Sequence, residues 1–90
     1  MVREPLRAAS DLLRQASETA GDSDLEQRLY EQSNQLAKLA TADSGPDHGR
    51  MARIMHVLDD LGDELEGDAQ DAVEDAYEKV KEYRSTVSGV

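Results

Sequence analysis

Asp47, His48, Arg50 and Arg53 stand together directly behind Gly45 and Pro46, and they are the residues of this chain best suited to bind something. Gly and Pro interrupt regular structure and Asp is a good N-cap, so the block reads as a loop opening a helix. Free backbone N–H groups and the positive end of the macrodipole attract anions at such a point, and His48, Arg50 and Arg53 would add side-chain donors. The chemistry on offer is binding of a small anion or nucleotide, or docking of a partner. A plainer reading has Asp47 capping the helix while His48 and the arginines bond carboxylates or carbonyls of neighbouring helices. It carries more weight, because no Gly-rich phosphate motif of recognised pattern is present.

His56, Asp59, Asp60 and Asp63 share a helical face and bring metal-ligating side chains together, but one helix is a poor cage. Metal-binding bundles draw ligands from facing helices through Glu-x-x-His, which does not occur here, so no metal or other cofactor is expected. Seven serines are present without a nucleophile-elbow pattern, beside only two histidines. The absence of cysteine removes thiolate nucleophiles, disulfides and Cys-based zinc or iron–sulfur centres. The expectation is a protein that is not an enzyme.

Twenty acids against ten bases give a net charge of −10, and between Asp59 and Asp75 nine carboxylates occur with no Lys or Arg. Within the third and fourth predicted helices five same-sign pairs fall at four-residue spacing: Asp59–Asp63, Asp60–Glu64, Asp71–Asp75, Glu74–Glu78 and Glu78–Glu82. Each costs a few tenths of a kcal/mol, about 1–2.5 kcal/mol together in dilute salt. Screening at molar salt, where the Debye length falls to about 3 Å, removes most of that cost. With only three lysines, the surface reads as adapted to brine; an ordinary acidic protein docking a basic partner is the alternative. Neither nucleic acid nor an anionic membrane suits such a surface. On the first helix Arg3, Arg7 and Arg14 fall within about 40° of one another. This basic stripe would meet the acids of helices three or four, or a partner.

Four segments must position these residues. In 90 residues the apolar inventory is ten leucines, eleven alanines and six valines, with no Phe or Trp, so one domain with a thin core is expected. Leu6, Ala9, Leu13, Ala16 and Ala20 mark the first helix, closed by Gly21; Leu25, Leu29, Leu36, Leu39 and Ala40 mark the second, its seam interrupted by Gln32 and Ser33. Met51, Ile54, Met55, Leu58, Leu61 and Leu65 mark the third, ending near Gly67. Asp68 is the expected cap of a fourth, whose seam runs through Ala69, Val73, Ala76, Val80, Tyr83 and Val87, and Tyr30 and Tyr77 are expected half-buried at bundle edges. The spacing predicts helices over about 4–20, 24–41, 48–66 and 68–87 in a single all-α domain, an up-down antiparallel four-helix bundle. If Gly67 were only a bend, the third and fourth segments would instead form one long bent helix, completed as a dimer. Residues 1–5 hold no apolar core of signal-peptide length and no apolar run spans a membrane, so a cytoplasmic protein is expected.

The block 45–53 and the ending 83–90 resemble a family of small acidic helical proteins from halophilic archaea. The resemblance implies a cytoplasmic, salt-adapted helical protein and names no substrate or catalytic residue. The functional expectation is a non-catalytic protein-interaction or structural module that self-associates as a dimer through apolar helix faces. The alternative is a small-anion or nucleotide binder using Asp47, His48, Arg50 and Arg53.

Overall fold

A computed structural model describes residues 2–87. It holds four helices in a bundle of 37 × 22 × 17 Å: α1 (Glu4–Thr19), α2 (Ser23–Thr41), α3 (His48–Asp63) and α4 (Gly67–Arg84). Three-residue turns join α1 to α2 and α3 to α4, and connections that short force antiparallel neighbours. Gly21, at φ +74°, ends α1 in the left-handed region that costs glycine nothing. Asp22 then caps α2, its carboxylate accepting from the Leu25 N–H at 3.0 Å.

The second turn settles how the chain's latter half folds. Gly67 sits at φ +65°, α4 folds back along α3, and the single bent helix is thereby set aside. The expected boundaries need correction here. The third helix stops at Asp63 rather than 66, as the chain turns through residues 64–66 toward the left-handed Gly67, and Leu65 is buried from that connecting segment. The Gln70 side chain donates to the Gly62 carbonyl at 2.9 Å and adds a bond to the last turn of that helix. Asp68 lies inside the first turn of α4 and makes no capping bond; Glu66 holds the N-cap position with an extended backbone. The fourth helix stops at Arg84 rather than 87, and residues 85–87 close in turns through the Ser85, Thr86 and Val87 N–H groups. Residues 88–90 of the C-terminal block lie outside the described residues.

The spaced apolar residues form one core. Leu6, Ala9, Leu13, Ala16, Leu29, Leu36, Met51, Leu58, Leu61, Ala76 and Val80 are fully buried, and Ile54, Met55, Leu65, Ala69 and Val73 nearly so. Ser10 and Ser33 share that interior without leaving a hydroxyl unpaired: Ser10 Oγ donates to the Ser33 carbonyl and Ser33 Oγ to that of Tyr30, each at 2.7 Å. Helix α1 packs against both α2 and α4, and α4 against α3, while α2 and α3 scarcely touch. The small residues Ala9, Ala16, Ala69, Ala72 and Ala76 allow close approach where helices meet. At the loose seam the facing residues are instead the long polar Gln32, Gln35, Arg50 and Arg53.

Candidate functional site

Folding divides the four residues of the 45–53 block, bringing Arg50 and Arg53 to one seam and His48 to another. Asp47 caps α3, with Oδ1 accepting the Arg50 N–H at 2.7 Å, so the chain's own carboxylate occupies the place an incoming anion would take at this helix start. His48 turns toward the end of α4, where Arg84 Nη2 lies 3.3 Å from His48 Nδ1. Because a guanidinium only donates, Nδ1 accepts in this pair. Arg50 and Arg53 point the other way, into the seam between α2 and α3.

Two adjoining hollows of about 480 and 170 Å³ make up that seam. From α2 come Gln32, Gln35, Lys38 and Leu39, and from α3 come Arg50, Arg53, Ile54 and Val57. Ile54 is buried, Val57 and Leu39 are half-buried, and Gln32 Oε1 is buried without a donor. Glu31 is the one carboxylate lining these hollows, so cations outnumber acids here on a strongly acidic molecule. At the far end Arg28 Nη1 reaches Glu64 Oε2 at 3.2 Å and straps α2 to α3. Gln35 and Val57 carry no motif; the sequence signal for the seam is the break in apolar spacing at Gln32 and Ser33.

The acidic face takes a different form. Every carboxylate is exposed except the half-buried Glu26. Asp59 and Asp63 of α3 and Glu74 and Glu78 of α4 border a hollow of about 320 Å³ floored by Leu58, Gly62, Val73 and Tyr77. Among the described residues the ion pairs are Arg28–Glu64, His56–Asp60 at 3.5 Å and Lys79–Glu82 at 3.8 Å, all at the surface. None touches the four acids of this hollow. Among the described residues, no three His, Asp or Glu side chains converge to hold a metal ion.

Among the described residues the basic stripe of α1 forms no ion pair. Arg3 instead closes α2, Nη1 donating to the Leu39 and Ala42 carbonyls at 3.2 and 2.8 Å, while its backbone N–H donates to Ala40. Arg14 lies 5.8 Å from the ring centre of Tyr30, a cation–π contact. Tyr30 is half exposed, the one large apolar side chain so open among the described residues, whereas Tyr77 and Tyr83 pack on the core.

A sequence model for a family described as a family of unknown function, DUF7553, matches residues 1–86. The chain belongs to that family. No curated protein and no solved structure matches it. Among the described residues no helix is long and apolar enough to cross a membrane. Membership covers nearly the whole bundle and assigns no chemistry to any residue of it.

Proposed function

We propose that the chain is a non-catalytic interaction module, a salt-adapted cytoplasmic protein that works as a self-associating subunit. The observation that supports this reading best is the open seam between α2 and α3. Elsewhere the core is closed by neighbouring helices, but here the half-buried Leu39 and Val57 line open hollows. Covering that strip would remove apolar surface from water. Salt adaptation is supported by the five same-sign pairs, all of whose members are exposed. Sedimentation equilibrium in about 1 M potassium chloride, where the Debye length is about 3 Å, tests the reading. A reversible, concentration-dependent dimer is expected, and a monomer at every concentration would remove it.

A second reading rests on Lys38, Arg50 and Arg53 lining one seam: a small anion or nucleotide would sit there on side-chain donors, with the helix start already capped by Asp47. It predicts a saturable thermal shift with phosphorylated metabolites that disappears in Arg50→Ala or Arg53→Ala. No shift across such a panel disposes of it.

A further inference from the structure

One stripe of α3 along the open seam is self-complementary. With Val57 as origin, Arg50 and Arg53 stand seven and four residues before it, and Asp60 and Glu64 three and seven after it. At 3.6 residues per turn these five side chains fall within an arc of about 80°. The contacts agree with that arc: Arg50, Arg53 and Val57 line the hollow shared with α2, and Glu64, the C-cap of α3, pairs with Arg28 of α2. The stripe therefore reads positive, apolar, negative along the helix axis. Among the described residues neither arginine makes an ion pair, and Asp60 meets only His56.

A two-fold interface puts one patch against itself, so a residue before the axis must suit the residue equally far beyond it. Two antiparallel copies of α3 crossing at Val57 satisfy that condition to within one residue. Arg50 then faces Glu64 of the second copy, and Arg53, four residues before the axis, comes within one residue's rise, about 1.5 Å, of Asp60, three beyond it, each contact occurring twice, with the two valines meeting at the centre. We infer that the α2–α3 seam is the surface on which a second copy of this chain packs, through an antiparallel two-fold pairing of the Arg50, Arg53, Val57, Asp60 and Glu64 stripe; the inference rests on the self-association reading and says where and how it occurs.

Charge and apolar area have different tasks in this pairing. Exposed ion pairs add little affinity, about 0.2–1 kcal/mol each, but opposed like charges exclude a wrong orientation. The half-buried Val57 and Leu39 supply the apolar area, and the charges set direction and register. Molar salt suppresses the mutual repulsion of two chains of charge −10 while leaving direct contacts in place.

Charge reversal tests the pairing, with dimer dissociation measured in about 1 M potassium chloride. Arg53→Glu and Asp60→Arg, taken singly, place like charges opposite each other twice and are expected to raise the dimer Kd about tenfold or more. The double variant Arg53→Glu/Asp60→Arg restores opposite charges across the axis and returns Kd to within about threefold of wild type. Circular dichroism checks that each variant keeps its helices, and both residues are exposed. The native chain has no cysteine, so Val57→Cys supplies a single thiol beside the axis, expected to cross-link dimers on mild oxidation while Gln27→Cys on the outer side of α2 does not. Wild-type dimerisation in all three charge variants, or a Val57→Cys dimer that fails to cross-link, overturns this surface while leaving self-association standing. A wild-type monomer overturns both.

Discussion

A methyl group added at Gly45 would lie 2.7 Å from the Tyr83 hydroxyl and 3.2 Å from Arg3 Nε. Neither neighbour yields readily: Tyr83 is packed on the core, and the Arg3 guanidinium is held by two carbonyls at the end of α2. The Gly45→Ala variant should therefore lose about 1–3 kcal/mol of stability through overpacking. Adding Tyr83→Phe removes the nearest atom and should recover part of that loss, a coupling that urea denaturation of the double-mutant cycle would reveal. Equal loss in both backgrounds would place the cost elsewhere. Residues differ sharply in how far their roles can be read locally. The Asp47 cap is legible because its partner lies three residues away, whereas the partners of Arg3 lie 36 and 39 residues away, and only the packing of α1 on α2 brings them together.

Among the elements, the turn between α3 and α4 has the clearest energetic signature. Gly67 adopts φ +65° with no atom crowding it, so the cost of a side chain there is conformational rather than steric. Replacing it with Ala puts an L-residue in the left-handed region and should destabilise the bundle by about 1 kcal/mol, read as a lower urea midpoint at unchanged slope. An unchanged midpoint would show that the reversal does not depend on this geometry. The apolar period locates all four helices, because burial of one face is what stabilises them. Their ends are less legible: Leu65 belongs to the apolar series of α3 yet lies beyond its last turn, reaching the core from the connecting segment.

Across the whole molecule the balance lies between a core of small side chains and a surface of unneutralised acids. Because the repelling pairs are exposed, salt should screen them effectively, and the midpoint of thermal unfolding by far-UV circular dichroism should rise with potassium chloride. General salting-out also stabilises proteins, so the discriminating variant is Glu74→Gln/Glu78→Gln, which removes two of the five same-sign pairs and no ion pair. It should gain about 0.5–1 kcal/mol in dilute salt and show a smaller salt response than wild type. An identical response would mean that these charges do not set the salt requirement.

The periodic Leu, Ala, Val and Met residues by themselves determined an all-α antiparallel bundle with its carboxylates in solvent, since a helix fixes which residues share a face and water decides which face stays out. Which helices close on each other was decided only by tertiary packing. Gln32 and Gln35 of α2 and Arg50 and Arg53 of α3 are far apart in sequence, and although the break in apolar spacing at Gln32 marks the α2 side of the seam, only packing shows which helix faces it. The same packing sent His48 toward Arg84 and the two arginines toward α2, dispersing residues that stand side by side in the chain, because neighbouring positions on a helix point about 100° apart.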